Sequence, residues 1–145
     1  MGKQWFVCVV IACLVAVASC GPSPQKGTIT LETEIDFSAE PYSGTFEVTE
    51  GAELLGCVSG SFVDTLSASG DFKELTCESG ERSGTFTIEF DPPNVWMAEP
   101  SGPWTVKEGT DDFSGLSGGG EFQGIFDLED QSGVSTYTGE IEYSN

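Results

Sequence analysis

From Thr28 onward the chain alternates apolar and polar residues with a period of two. Ile29, Leu31, Ile35 and Phe37 alternate with Thr30, Glu32, Glu34 and Asp36, and Phe46 and Val48 alternate with Thr45, Glu47 and Thr49. Phe86, Ile88 and Phe90 alternate with Thr85, Thr87 and Glu89, and Tyr137, Ile141 and Tyr143 with Thr138, Glu140 and Glu142. Successive side chains of a strand point to opposite faces, so each segment reads as a half-buried strand, apolar inward and acidic or threonine outward. Less regular strands are expected over residues 54–58, 61–68, 72–77, 104–108 and 121–128. No segment keeps a helical period over twelve residues. With 38% apolar residues, 19 glycines and 10 phenylalanines in 145 residues, the chain suits short strands with aromatic anchors and glycine turns. Eight or nine one-sided strands must hide an inner face and their edges. A closed antiparallel barrel of eight strands does both, whereas the alternative, a β-sandwich, leaves edges open.

A loose repeat supports the barrel. Glycine stands two residues before a bulky apolar side chain in Gly44-Thr45-Phe46, Gly60-Ser61-Phe62, Gly70-Asp71-Phe72, Gly84-Thr85-Phe86, Gly120-Glu121-Phe122 and Gly139-Glu140-Ile141. Residues two apart share a face, so these glycines place small beside large, as the taper of a small barrel requires. The other reading is that each glycine simply opens a strand after a turn.

Charge and composition exclude several classes of function. Asp+Glu number 24 against Lys+Arg 5, giving a formal charge of −19, and histidine is absent. Without histidine there is no Ser-His-Asp or Cys-His system and no His-ligated metal. A chain of this charge repels phosphate backbones, so nucleic acid is not an expected partner.

Lys3 precedes an unbroken apolar or small-residue run over residues 5–18, which is too short for a membrane span of about 20 residues and fits a signal-peptide core. The run ends Val17-Ala18-Ser19-Cys20, which resembles the lipobox of bacterial lipoproteins. That resemblance implies cleavage before Cys20 and acylation of its sulfur. The alternative is an ordinary secretory signal cut after Ala18. Cysteine arithmetic bears on the choice. Cys8 and Cys13 leave with the leader either way; lipidation then uses Cys20 and leaves Cys57 and Cys77 to form a disulfide in an oxidising compartment. Residues 1–19 therefore read as a lipoprotein signal peptide, 20–27 as the lipidated cysteine with a Pro/Gly/Ser tether, and 28–145 as the barrel domain. The tether spans roughly 20 Å at most. The protein is expected at the cell envelope, held on the extracytoplasmic side by membrane lipid through Cys20. Gly21 rather than Asp follows it, which points to the outer membrane where there are two.

One motif carries a resemblance in the folded part. Gly109-Thr110-Asp111-Asp112-Phe113-Ser114-Gly115-Leu116-Ser117-Gly118-Gly119-Gly120 is similar to the Gly-Thr-Gly-x-aromatic-x-Gly-[Leu/Ala]-x-Gly-x-Gly segment of the allene oxide cyclase and dirigent-like barrel superfamily. Asp111 stands where that family has its second glycine. The resemblance implies an eight-stranded, calycin-like barrel, with Trp104 on the strand entering the loop and Phe122 on the strand leaving it. Phe113 and Leu116 would pack beneath the loop and close one barrel end. No catalytic residue of the family maps onto this chain.

The candidate sites are few. Glu32, Glu34, Glu89, Glu140 and Glu142 fall on outward faces and read as a solvated acidic surface. Arg82, the only arginine, sits in the turn Glu81-Arg82-Ser83-Gly84, either pairing with surface acids or binding an anion. Residues 91–100 form the longest irregular segment and carry Trp96 and Met97, which either cover a barrel mouth or contact a ligand. Asp111-Asp112 and Asp127-Leu128-Glu129-Asp130 could offer oxygens to calcium, although no EF-hand pattern is present. No metal or cofactor is required. The inner face reads as aliphatic and aromatic, without polar hooks. An eight-stranded lumen is either just filled or holds one small ligand. The expectation is a non-enzymatic binding or structural module, with a small hydrophobic ligand as a possible partner. The alternatives are a cyclase- or isomerase-like enzyme on such a molecule, and a calcium-dependent or adhesive surface protein. A buried acid facing an open cavity would favour the enzyme.

Overall fold

The structure is a computed structural model that describes residues 25–67, 70–90 and 97–144. Eight strands follow one another around a closed antiparallel barrel: β1 (Gln25–Asp36), β2 (Ser43–Glu50), β3 (Cys57–Ser67), β4 (Gly70–Gly80), β5 (Gly84–Phe90), β6 (Ser101–Gly109), β7 (Leu116–Asp127) and β8 (Ser132–Tyr143). β1 pairs with β8 along its whole length, from Gln25 opposite Tyr143 to Asp36 opposite Ser132. Closure gives every strand a neighbour on both sides, which suits a lean, one-sided set of strands. β1 opens at Gln25 rather than Thr28, so residues 25–27 of the expected 20–27 tether belong to the barrel.

Alternation places the core as expected. Ile29, Leu31, Ile35, Phe46, Val48, Phe86, Ile88, Phe90, Phe122, Tyr137, Ile141 and Tyr143 are all buried. Four of the six glycine pairs follow the small-beside-large reading. Gly44 lies opposite Phe62, and Phe46 opposite Gly60. A Cβ on Gly60 would sit 2.8 Å from the Phe46 ring and inside the Thr76 carbonyl. Gly120 and Gly139 face each other across β7 and β8, and a Cβ on Gly139 would come within 2.7 Å of the Trp104 indole. That indole donates its N–H towards the carbonyl oxygens of Glu121 and Thr138 at 3.2 and 3.3 Å. Gly70 and Gly84 follow the other reading and open their strands.

Two segments differ from the sequence reading. Residues 54–58 are not a strand of their own. Ala52–Leu55 form a single helical turn, α1, between Gly51 and Gly56, each at φ 77° in the left-handed region that glycine adopts without strain. One turn is too short to show a period, and its apolar residues mimic a strand. Residues 57 and 58 begin β3 instead, which continues to Ser67 through all the described residues of the expected 61–68 strand.

The two ends of the barrel differ. At one end Leu55 of α1 and Phe113 plug the core, both fully buried, and Leu116 is buried beside them. Phe113 packs on Phe86 with ring centroids 5.1 Å apart. The packing of Phe113 and Leu116 agrees with what the glycine-loop resemblance implies. Asp111 takes φ 49°, a left-handed conformation that glycine adopts more readily than other residues.

Cys57 and Cys77 are joined, with Cα atoms 5.9 Å apart across the β3–β4 ladder. With a sequence separation of 20, loop-closure reasoning assigns the bond about 3 kcal/mol. Replacing both cysteines by alanine should lower denaturant stability by that order, and non-reducing peptide mapping should find the linked pair. An unchanged unfolding midpoint, or free thiols at both positions, would contradict this.

Candidate functional site

At the other end the lumen is open, forming a cavity of about 390 Å³. Its apolar walls include Ile35, Phe37, Leu66, Phe90, Phe126 and Leu128. Phe37 meets Phe126 edge-on with centroids 4.8 Å apart, and Phe122 stacks on Tyr137 at 5.4 Å.

The polar lining was not expected. Asp64 of β3 and Lys73 of β4 are direct cross-strand partners, and both point inward. The Lys73 Nζ donates to Asp64 Oδ1 at 2.7 Å, with the two side chains only 1% and 5% exposed. The same Nζ sits 3.4 Å from the centre of the Phe62 ring, with Phe90 and Tyr137 at 5.8 and 5.9 Å. A cation over aromatic faces is attracted by their quadrupoles, most strongly where water is excluded. Thr33 and Ser135 face each other across β1 and β8, and the Thr33 hydroxyl donates to the Ser135 carbonyl at 3.3 Å. The expectation of an inner face without polar hooks is therefore corrected: an acid, an amine, two phenols, an amide and two hydroxyl side chains line this lumen.

Burial sets the electrostatics. Desolvation pushes the Asp64 carboxyl above its ordinary range, with Lys73 opposing. Desolvation pulls the Lys73 ammonium down to about 8, with Asp64 opposing. Burial, reinforced by the Asp64 charge, raises the Tyr137 phenol. The sign of the linkage for Lys73 follows directly. Between pH 8 and its ordinary 10.5, the unfolded state carries a proton that the folded state has released, so stability rises with pH. The parent should therefore gain stability from pH 8 towards 9.5 relative to an Asp64→Leu/Lys73→Met variant, read by thermal melts. Parallel pH profiles would contradict it.

Sequence signals for this pair existed. Asp64 lies two residues after Phe62, and Lys73 two before Leu75 and four before Cys77, so each shares a face with core residues. Phe72, by contrast, stands on the outward parity with Glu74 and Thr76.

The other candidates are dispersed. Arg82 lies at the plugged end, its guanidinium 3.7 Å from the Tyr143 ring centre and donating to the Asp112 carbonyl and the Gln25 side chain. It does not line the lumen. Trp96 and Cys20 lie outside the described residues; Phe90, just before the 91–100 segment, and Pro100, its last residue, both line the cavity. Met97 is exposed. Of the carboxylates considered for calcium, two hold local backbone: Asp112 accepts from the Ser83 amide and hydroxyl, and Asp127 from the Glu129 and Asp130 amides. Glu32, Glu34 and Glu140 are exposed, while Glu89 and Glu142 are half-buried. Searches against protein-family models, curated proteins and solved structures return no match to this chain.

Proposed function

We propose that this chain is an exported, lipid-anchored barrel that binds one small, mainly apolar ligand in its lumen. The observation that carries the reading is the cavity itself, about 390 Å³ with aromatic and aliphatic walls and a few convergent polar groups, the usual make-up of a small-molecule site. The Cys57–Cys77 bond supports an oxidising, extracytoplasmic location. The leader-like residues 1–19 and the lipobox-like Val17-Ala18-Ser19-Cys20 support attachment through an acylated Cys20. β1 begins at the plugged end, so an anchor at Cys20 would hold that end near the bilayer and leave the mouth facing away. Ligand would then enter from the aqueous side. The barrel and the buried Phe113 and Leu116 also support kinship with the allene oxide cyclase and dirigent-like barrels.

A second reading, an enzyme of the cyclase or isomerase type acting on the same ligand, is favoured by one observation: the Asp64–Lys73 pair, an acid and an amine in one water-poor cavity. Both readings require lumenal binding, and one experiment tests it. N-phenylnaphthylamine should bind with one-to-one stoichiometry and enhanced fluorescence, and Ile35→Trp, which fills the cavity wall, should abolish the signal. Binding that Ile35→Trp leaves intact would overturn the lumenal site. For the anchor, mass spectrometry of the amino-terminal peptide should find lipid on Cys20; an unmodified peptide beginning at Ser19 would overturn it.

A further inference from the structure

The geometry points to Lys73 as a covalent capture residue, forming a reversible imine with a small apolar aldehyde or ketone in the lumen, with Asp64 relaying the protons. This rests on the lumenal-binding reading and specifies the ligand's reactive group. Three observations converge on it. Lys73 is buried yet lines an open cavity, and the other lysines among the described residues, Lys26 and Lys107, pair with Glu140 and Glu89 on the barrel's outer surface. Its nitrogen has a carboxylate at 2.7 Å, within range of direct proton transfer. The same nitrogen lies 3.4 Å over the Phe62 ring, in a site suited to a cationic nitrogen, whether ammonium or iminium.

The steps balance without a further reactant. Lys73 passes a proton to Asp64, leaving a neutral amine and a carboxylic acid. The amine lone pair attacks the carbonyl carbon, a C–N bond forms, and the C=O π pair moves to oxygen, which takes the proton from Asp64. The nitrogen then returns a proton to Asp64, which delivers it to the hydroxyl. Water leaves, taking the C–O bonding pair, and the nitrogen lone pair closes the C=N bond. Ammonium and carbonyl have become iminium and water, with the Asp64 carboxylate as counter-ion. The charge is the same before and after, so the site need not reorganise. The carbon skeleton replaces protons on the side facing the apolar walls. Amines desolvated in apolar pockets are the usual nucleophiles for this chemistry. The burial that brings Lys73 down to about 8 favours the neutral, nucleophilic amine.

The test uses the purified protein, octanal and sodium cyanoborohydride at neutral pH, followed by peptide mass mapping. Hydride from the reagent reduces the iminium to a stable secondary amine. Labelling at Lys73 is expected to exceed that at Lys26 or Lys107 by at least about tenfold, because Lys73 lines the apolar lumen that holds the aldehyde beside its nitrogen and the other two do not, and excess octanol should protect it. Adducts confined to Lys26 and Lys107 would overturn the proposal and leave Lys73 as a structural partner of Asp64. Octanol, which cannot form an imine, separates the two readings. If octanol displaces N-phenylnaphthylamine while octanal leaves Lys73 unlabelled, lumenal binding stands and imine capture falls. If octanol displaces nothing and Lys73 stays unlabelled, both fall.

Discussion

Lys73→Met alone should destabilise the barrel by about 3–5 kcal/mol, because it leaves the Asp64 carboxylate buried without its cation. The variant Asp64→Leu/Lys73→Met should recover that loss and match or exceed the parent, by up to about 4 kcal/mol. The asymmetry follows from desolvation. Two charges that are 1% and 5% exposed have given up most of their hydration, and their mutual attraction does not repay it as well as packed hydrocarbon would. Urea unfolding of the parent, the single variant and the double variant reads the outcome. A double variant as unstable as Lys73→Met would show that the pair itself holds the barrel together. If the double variant is instead the more stable protein, the parent carries a costly pair, and that cost fits a pair that serves the lumen.

Phe86→Ala should cost about 3–5 kcal/mol, a large share of the roughly 5–15 kcal/mol that holds a domain of this kind folded. Phe86 is 2% exposed and lies between Phe46 and Phe113, with centroids 6.2 and 5.1 Å away. Its ring therefore fills the plugged half of the barrel, where truncation leaves a void that its neighbours cannot close. Phe122 is as well buried but borders the open cavity, so part of its surface already lacks packing partners. Phe122→Ala should fall at the lower end of the same range and should enlarge the ligand space. Denaturant melts of the two variants should rank Phe86 as the costlier. If both melt like the parent, the inward parity of β5 and β7 is wrong.

Much of the fold was legible because its signals are local. Alternation along Thr28 to Phe37 or Thr85 to Phe90 states which side chains go inward whatever lies opposite, since strand geometry alone imposes it. The glycines before Phe46 and Phe62 could be read as space for a ring, although the ring each accommodates turned out to belong to the neighbouring strand. The cysteine pair was legible by counting. The helical turn at Ala52–Leu55 was not, because four residues carry no period.

The site divides differently. Asp64 and Lys73 each stand two residues from a core side chain, so alternation alone turns both inward once β3 and β4 form. Charged residues in irregular segments nonetheless read as surface, because an isolated buried charge is prohibitively costly. Only the tertiary structure removes that objection. The register of the β3–β4 hairpin sets Asp64 opposite Lys73, and closure of β1 on β8 brings Tyr137, with Phe62 and Phe90, around the ammonium. Whether the lumen is filled or open was likewise decided in three dimensions. α1 and Phe113 occupy one end, while at the other end a cavity remains among side chains drawn from six strands and their connections. Alternation governs the direction of each side chain; the volume left between them depends on how all the strands close together, which no segment of the chain encodes alone.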